Sequence, residues 1–392
     1  MFKSKQDIKF NRTNMNKKCN IIGITSGGLK GFSGVNAKLF ATISKEHNLI
    51  DVVDNRLSGI WKYYNALYCF VKVPGFRKYI HPINEIYNRS VASCRFRNMY
   101  YVLKRTQAAE KALNYVKEDY NIILQTGWVP CLSKRNNSIR CIYTDFTIKL
   151  SEREIPQWAK FLNIHDRNRW FEMERLSYQN ADVVFTLSNH TRQSIICDYG
   201  VDESKVVTVY GGVDLSNIPN IEKNYSNIIL FVGIDFERKG GFVLLEAFQV
   251  VKTQMKNAKL VIVGSKPDIS IEGVDVRGFV SETEKYKLYS DASIFVMPSI
   301  GEPFGLVFLE AMAYKLPCIG TTAGAMPEII VNGETGFLVE PNNPGQLAQK
   351  IICLMENKDL MEKMGSEGRK RVENFTWEKV VERMTLEFEK RI

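Results

Sequence analysis

The sequence predicts an α/β protein built from two doubly wound domains of nearly equal size, and three observations support this prediction. Short runs rich in β-branched residues alternate with amphipathic helical stretches, which is typical of parallel sheets covered by helices. The chain has 392 residues, too many for one ordinary hydrophobic core. It is 45% hydrophobic and 24% charged, a balance that allows real cores and excludes a disordered or collagen-like chain.

Eleven strand-like runs set the order of the predicted elements. In the first half they are Ile21–Thr25, Ile122–Gln125, Arg140–Tyr143, Val183–Leu187 and Val206–Val209. In the second half they are Ile228–Gly233, Lys259–Val263, Val274–Arg277, Ile294–Met297, Cys318–Gly320 and Gly336–Val339. Helical patterns lie between them, for example Gly241–Thr253, Glu282–Ala292 and Gln346–Asn357.

A break in both periodicities predicts the domain boundary. The segment Leu215–Asn227 contains Pro219 and several Asn, and it follows neither the strand period nor the helix period. The predicted organisation is therefore a domain over residues 1–214, a linker over 215–227, a second domain over 228–375 and a final segment over 376–392.

Cysteine, histidine and aspartate patterns indicate neither a disulfide framework nor a metal site. The eight cysteines include no C-x-x-C pair, which suits reduced cytosolic thiols. The four histidines lack paired ligand spacing, and no D-x-D triplet occurs. Residues 1–20 are polar and basic without an apolar signal-peptide core, and no uncharged stretch reaches about 18 residues. We therefore expect a cytoplasmic protein that needs no metal or other cofactor.

The net charge of +10 is unevenly distributed along the chain. Up to Gly212 there are 32 Lys+Arg against 18 Asp+Glu, and beyond it 21 against 25. Residues 56–105 combine ten basic residues and eleven aromatics with one acid, Glu85. This pattern fits attachment to an anionic membrane. It also fits ordinary helices whose aromatics pack inward and whose cations are solvated. No nucleic-acid-binding module occurs, so we expect no nucleic-acid partner.

The segment Met297–Ala313, MPSIGEPFGLVFLEAMA, has the strongest functional pattern. A strand ends at Met297, and Pro303 is placed where a helix would begin, with Glu302 in the turn and Glu310 inside the helix. Free backbone N–H groups at a helix start form an anion site. Those groups belong to Phe304, Gly305 and Leu306. The alternative is a buried helix with two incidental glutamates, but an unpaired buried carboxylate is costly.

The segment Phe231–Gly241, FVGIDFERKGG, is a second candidate for binding phosphate. It predicts a strand, a polar turn with Arg238 and Lys239, and a helix that opens at Gly240-Gly241. Such turns at the carboxyl edge of a parallel sheet are where ligands bind in these folds. An Arg-Lys pair in a loop is otherwise ordinary solvated surface.

Two polar turns in the first half are weaker candidates. Thr25–Lys38 is a Gly-rich loop between a strand and a helix, where Gly34 either faces a ligand or only turns the chain. In Arg140–Thr147, Asp145 follows a strand, so its carboxylate either contacts a bound ligand or caps the next segment.

These residues resemble those of the retaining glycosyltransferases of family 4, also called glycosyl transferases group 1, which have the GT-B fold. The resemblance is specific across Val206–Trp377 and looser before it. The matching segments are GEPFGLVFLEAMA with Glu302 and Glu310, Lys239-Gly240 after Gly233, Thr322–Pro341 (TAGAMPEIIVNGETGFLVEP), Arg277–Glu284 (RGFVSETE) and Gly211–Asp214 (GGVD).

The resemblance implies two Rossmann-like domains that face a central cleft, with a final helix at 376–392 that crosses back to the first domain. It implies that Glu310 binds the ribose hydroxyls, Glu302 binds the transferred sugar, and Lys239 with Arg238 holds the diphosphate. Together with the residue patterns above, the predicted catalytic set is Glu302, Lys239, Arg238 and Asp145, the last on its turn alone. The predicted donor-binding set is Gly34, Gly233, Gly264, Gly278, Phe279, Phe304, Gly305, Leu306 and Glu310.

Three positions depart from the family pattern. Ile234 replaces the usual Arg after the glycine of the phosphate strand, and Gly211 replaces the usual Asn before Gly-Val-Asp. The histidine common near the reacting carbon is not evident in Gln125–Gly127 or Tyr143–Asp145. These departures leave open which group of the first domain is nearest the reaction.

The sequence therefore predicts sugar transfer, with retention, from a nucleotide diphosphate sugar to a glycan, glycolipid or lipid-linked acceptor held by the basic half. The expected location is cytoplasmic, at the inner face of the cell membrane if residues 56–105 bind lipid. The alternatives are a GT-B epimerase or phosphorylase and a non-catalytic protein that binds sugar nucleotides.

Overall fold

A computed structural model of the chain describes residues 18–25, 29, 34–72, 96–135, 137–216, 218 and 223–392. The described residues form two separate six-stranded sheets, each flanked by helices. The prediction of two doubly wound domains is confirmed. Most of the Gly-rich loop after Thr25, residues 73–95 of the basic aromatic segment and residues 217 and 219–222 of the predicted linker lie outside the described residues.

The first sheet has the strand order β2-β1-β3-β4-β5-β6, and every neighbouring pair is parallel. Its central strands are buried on both faces because helices cover both sides. The strands are β1 (Asn20–Thr25), β2 (Asn48–Asp54), β3 (Ile122–Thr126), β4 (Ile139–Thr144), β5 (Val183–Thr186) and β6 (Val206–Thr208).

The helices around this sheet begin at polar capping residues. The side chain that precedes four of them accepts a hydrogen bond from the backbone N–H three residues on, which satisfies a group that the helix itself cannot pair. These caps are Asn98, Thr147, Asn163 and Ser188. The described helices of this domain are α1 (Val35–Glu46), α2 (Ile60–Lys72), α3 (Met99–Tyr115), α4 (Ile148–Glu154), α5 (Ile164–Gln179) and α6 (Asn189–Tyr199).

The second sheet has the strand order β12-β11-β10-β7-β8-β9, again with parallel neighbours throughout. From β7 the chain winds to one side through β8 and β9, and then to the other side from β10 onwards. This reversal opens a crevice beyond the carboxyl ends of β7 and β10. The strands are β7 (Ile228–Val232), β8 (Lys259–Val263), β9 (Val274–Gly278), β10 (Ile294–Val296), β11 (Cys318–Thr321) and β12 (Gly336–Val339).

The last helix of the chain lies on the first domain. Its Thr385 Oγ1 is 2.7 Å from His47 Nε2, and the Phe388 ring contacts the Phe185 ring at a centroid distance of 5.8 Å. The chain therefore crosses between the domains twice. The helices after β7 are α7 (Gly241–Gln254), α8 (Glu282–Asp291), α9 (Leu306–Ala313), α10 (Met326–Ile329), α11 (Pro344–Met355), α12 (Lys358–Arg371) and α13 (Trp377–Glu389).

One strand was not predicted, and its position explains why. β2 lies at the edge of the first sheet, and none of its seven residues is fully buried. The sequence NLIDVVD therefore lacks the continuous apolar run of a buried strand. The other eleven strands end within one residue of the predicted ends.

Candidate active site

A cavity of about 510 Å³ lies where the two domains meet, at the crevice beyond β7 and β10. The first domain contributes Val35, Asp145, Trp158 and Leu187. The second domain contributes Val232, Gly233, Ile234, Asp235, Arg238, Lys239, Gly264, Lys285, Glu302, Pro303, Phe304, Gly305, Leu306, Val307 and Glu310. Ten of the predicted site residues are therefore brought together. Gly34, Gly278 and Phe279 do not line the cavity.

Glu302 joins the loops that follow β7 and β10. The residue is only 8% exposed. Its Oε2 accepts from Lys239 Nζ at 3.0 Å and lies 3.4 Å from Arg238 Nη1. The cations offset the cost of burying the carboxylate. The pairing also keeps the two loops at a fixed separation.

Arg238 is bound to the protein on several sides. Its Nη1 donates to the Gly301 carbonyl at 2.7 Å and its Nε to Asp235 Oδ2 at 3.1 Å. The guanidinium also lies over the Trp158 ring of the first domain, 4.8 Å from the centroid. Arg238 therefore organises the loop, whereas the Lys239 ammonium is the cation placed beside Glu302 at the cavity wall.

Two glycines allow these loops to pack closely. Gly240 has φ +75°, and a Cβ there would lie 2.0 Å from the carbonyl oxygen of Pro298. A Cβ at Gly233 would lie 2.4 Å from Cδ of Lys239. Larger residues would therefore separate the loops that carry Lys239 and Glu302.

Helix α9 begins at Leu306, so the predicted helix start at Pro303 is wrong. Gly305 has φ +97°, a left-handed conformation that a helical residue does not adopt, and it precedes the helix. Phe304 and Gly305 thus lie in the preceding turn. The helix start has no side-chain cap, so the N–H groups of Leu306 and Val307 remain available at the cavity wall.

Glu310, in the second turn of α9, is held by two residues of α8. Lys285 Nζ donates to both carboxylate oxygens, at 2.9 and 3.1 Å, and the Tyr289 hydroxyl donates to Oε2 at 2.9 Å. Sequence reasoning missed Lys285. The signal was present, because residues four apart on a helix share a face and the segment leading into α8 matched the family pattern.

Asp145 follows β4 and is the one titratable residue that the described part of the first domain contributes to the cavity. Burial raises its pKa to about 7, and the negative charge of Glu302 adds to the rise. Backbone N–H groups of Asp145 and Phe146 oppose the shift. The carboxyl therefore exchanges its proton near neutral pH, on the wall opposite Glu302.

The three predicted residues outside the cavity lie at its margins. Gly34 precedes α1 with φ +81°, and the next residue, Val35, lines the cavity. The Gly278 carbonyl accepts from the N–H of Gly264, which does line it. Phe279 is 78% exposed.

The described residues contain neither a metal-binding cluster nor a membrane-spanning helix. No group of three or more His, Cys, Asp or Glu side chains in this part of the chain could hold a metal ion. None of its helices is both long enough and apolar enough to span a bilayer.

The arrangement suits a ligand with a diphosphate between two polyhydroxyl groups. Carboxylates accept hydrogen bonds from hydroxyls, and Glu302 and Glu310 lie on either side of the free helix start of α9. The N–H groups there and Lys239 attract negative charge between them. The cavity can therefore stabilise charge that develops on a departing phosphate.

Two family models match the chain. The model described as glycosyltransferase family 4 matches residues 71–217, and the model described as glycosyl transferases group 1 matches residues 216–371.

Curated relatives and solved structures are similar to the chain. It is 30% identical over 207 residues to an uncharacterized glycosyltransferase of Methanocaldococcus jannaschii. It is 29% identical over 228 residues to the capsular polysaccharide biosynthesis glycosyltransferase CapM of Staphylococcus aureus. Each match covers 52% of this chain, and 58% and 60% of those proteins. Sucrose-phosphate synthase from Thermosynechococcus elongatus has the same fold, with a TM-score of 0.66 at 19% identity over 95% of this chain and 99% of that chain.

We expect Lys285→Met to weaken nucleotide binding, because Glu310 would lose its charged partner and its fixed orientation. Hydrogen bonds to charged groups contribute about 1.5–3 kcal/mol, so affinity should fall about tenfold to a hundredfold. Titration calorimetry with UDP, GDP and ADP measures this. Lys287→Met, which removes an exposed lysine of the same helix, is the matched control and should bind like the wild type. Equal affinity in both variants would remove Lys285 from the site.

Proposed function

We propose that this chain, which belongs to the family of glycosyl transferases group 1, is a sugar transferase. It transfers a sugar from a nucleotide diphosphate sugar to an acceptor hydroxyl with retention of anomeric configuration. The observation that carries the proposal is the joint position of Glu302, Lys239 and Glu310 around the start of α9. The name of CapM, a capsular polysaccharide biosynthesis glycosyltransferase, supports an acceptor in the synthesis of cell-surface polysaccharide. The acceptor is then a glycan, a glycolipid or a lipid-linked saccharide.

The donor binds mainly to the second domain. Glu310, oriented by Lys285 and Tyr289, accepts hydrogen bonds from the ribose hydroxyls. The diphosphate lies against the N–H groups at the start of α9 and against Lys239. Glu302 accepts hydrogen bonds from the hydroxyls of the transferred sugar. This contact places the reacting carbon towards the first domain.

The transfer follows a front-side route. The bond between the anomeric carbon and the phosphate oxygen breaks, and the acceptor oxygen bonds to that carbon on the same face. The acceptor proton passes to the departing phosphate oxygen. Lys239 and the start of α9 stabilise the negative charge of the diphosphate. Asp145 accepts a hydrogen bond from a second hydroxyl of the acceptor and orients the acceptor.

Two other functions fit a similar cavity. A GT-B epimerase or phosphorylase would consume donor, or form it, without transferring the sugar to an added acceptor. A protein that only senses sugar nucleotides would bind donor and modify no acceptor. The paired Glu302 and Lys239 favour a reacting site over a sensor, because a charge placed at the departing group serves catalysis.

The test is incubation with UDP-, GDP- and ADP-sugars and a panel of glycan and lipid-linked acceptors, with products followed by mass spectrometry. We expect an acceptor-dependent product whose new linkage has the donor's anomeric configuration. Glu310→Ala should mainly weaken donor binding, by about tenfold. Lys239→Ala should mainly lower kcat, by about a hundredfold. Wild-type donor affinity and turnover in both variants would contradict the assigned site.

We expect kcat to rise with pH through about 7, as Asp145 loses its proton and becomes a stronger, charged acceptor for the second hydroxyl of the acceptor that it orients. Asp145→Asn should remove this rise and lower kcat by about a hundredfold. Glu174→Gln is the matched control. Burial also raises the pKa of Glu174 to about 7, but its carboxylate accepts from Tyr178 and Tyr199 and does not line the cavity. A rise that persists in Asp145→Asn would assign it to another group.

A surface of α2 supports attachment of the first domain to an anionic membrane, at the inner face of the cell membrane. Where the side chains of this helix are described, five large apolar or aromatic ones are exposed: Ile60, Trp61, Tyr63, Tyr64 and Leu67. Lys62 is exposed among them, and Lys104 Nζ lies 4.3 Å from the centroid of the Trp61 ring. Aromatics favour the lipid interface, and each cation near anionic headgroups contributes about 1 kcal/mol.

We expect the protein to pellet with vesicles that contain anionic lipid at low salt, and not with neutral vesicles. Trp61→Ala with Tyr63→Ala should reduce the pelleted fraction severalfold, because it removes exposed aromatic area from the surface of α2. The control is Phe242→Ala with Val250→Ala, two exposed residues of α7 in the second domain. Equal pelleting of the two double variants would exclude this surface of α2.

A further inference from the structure

Glu328 links the two domains beside the cavity without lining it. It lies in α10 of the second domain, and its carboxylate accepts from two backbone N–H groups of the first domain. Oε2 accepts from Asn189 at 2.7 Å and Oε1 from His190 at 2.9 Å. These are the first two residues of α6, whose third N–H, that of Thr191, is capped by Ser188. The positive end of the α6 dipole therefore meets a carboxylate of the other domain.

On the side of the second domain, the segment that carries Glu328 is bonded to the backbone of Glu302. The N–H of Ala325, three residues before Glu328, donates to the Glu302 carbonyl at 3.1 Å. Arg371 holds the other end of the segment, because its guanidinium donates to the carbonyls of Glu328 and Ile329 at 2.7 and 2.6 Å. A short and firmly held segment therefore connects Glu328 to Glu302.

On the side of the first domain, the start of α6 is bonded to the backbone of Asp145. The hydroxyl of Thr191 donates to the Asp145 carbonyl at 2.5 Å. The ring of His190 is also bound, through Nε2, to Glu154 at 2.6 Å. A continuous chain of short contacts thus runs from Asp145 through the start of α6 and Glu328 to Glu302.

We propose that Glu328 is a positioning residue that sets the separation between the cavity wall with Asp145 and the wall with Glu302. It touches neither the donor nor the acceptor. Its two hydrogen bonds hold the domains at the separation at which the acceptor hydroxyl reaches the reacting carbon. The proposal rests on the proposed function, since it assigns the acceptor to the first domain and the donor to the second.

The geometry predicts that turnover and donor binding respond differently to loss of this carboxylate. Donor binding uses groups of the second domain, so the nucleotide Kd of Glu328→Ala should stay within about twofold of the wild type. The value of kcat should fall about tenfold to a hundredfold, which matches the loss of charge-assisted hydrogen bonds that hold the reacting geometry. Glu328→Gln keeps one carbonyl acceptor for the two N–H groups, so its kcat should lie between that of the wild type and that of Glu328→Ala.

The experiment measures three quantities on the full chain: nucleotide Kd by calorimetry with UDP, GDP and ADP, kcat for the acceptor-dependent product, and the radius of gyration by small-angle X-ray scattering. Glu246→Ala is the matched control, since it removes an exposed carboxylate from α7 of the same domain. We expect a larger radius and a lower kcat for Glu328→Ala only. Thermal melting of each variant distinguishes a changed separation of the two domains from a loss of folding. Glu328→Gln provides a milder variant.

Wild-type kcat in a folded Glu328→Ala protein would overturn the proposal, and so would a fall in kcat with an unchanged radius of gyration. A loss of nucleotide affinity equal to the loss of kcat would also overturn it, because Glu328 would then act on the donor site. If the wild type transfers no sugar to any acceptor, the proposed function fails. The scattering comparison still decides whether Glu328 sets the separation of the domains.

Discussion

The paired charges of Glu302 and Lys239 hold together the two loops on which the cavity depends. These loops follow β7 and β10, which are neighbours in the sheet although the chain between them passes through β8 and β9. Strand pairing fixes where the two loops begin, but it does not fix the distance between their far ends. The 3.0 Å contact between Lys239 and Glu302 fixes that distance. Gly240 permits the contact, because a side chain there would collide with the loop after β10.

The cavity is complete only when the first domain is in place. Trp158 covers the Arg238 guanidinium at 4.8 Å, so a side chain of one domain orders a loop of the other. The last helix reinforces the arrangement, because Phe388 packs against Phe185 after the chain has crossed back. Under the proposed function, a site closed in this way would keep water from the reacting groups and strengthen their electrostatic interactions.

The sequence predicted the buried strands, the two paired acids and the loop cations, because each leaves a local pattern. Alternation of apolar runs with helices revealed the strands, and a carboxylate inside an apolar helix revealed Glu310. The sequence did not predict which residues these side chains contact. Lys285 reaches Glu310 from a separate helix, and Glu328 reaches α6 from a separate domain. Contacts of this kind depend on how elements pack. Lys285 lies in a segment that matches the family pattern, but nothing local to it shows that it meets Glu310, and Glu328 has no local signal for its contact with α6.

Under the proposed function, the paired charges of the cavity keep the site from repelling an anionic donor before that donor binds. Lys239 is paired with Glu302 and Lys285 with Glu310, so these charges offset one another before the donor arrives. Under the proposed function, a diphosphate at the start of α9 lies beside Lys239, whose ammonium has three donors and can reach a phosphate oxygen while it keeps Glu302. Glu302 still has lone pairs for the sugar hydroxyls, because a carboxylate accepts several hydrogen bonds. The ammonium then lies near the bond proposed to break, where its attraction grows as the leaving group becomes more negative.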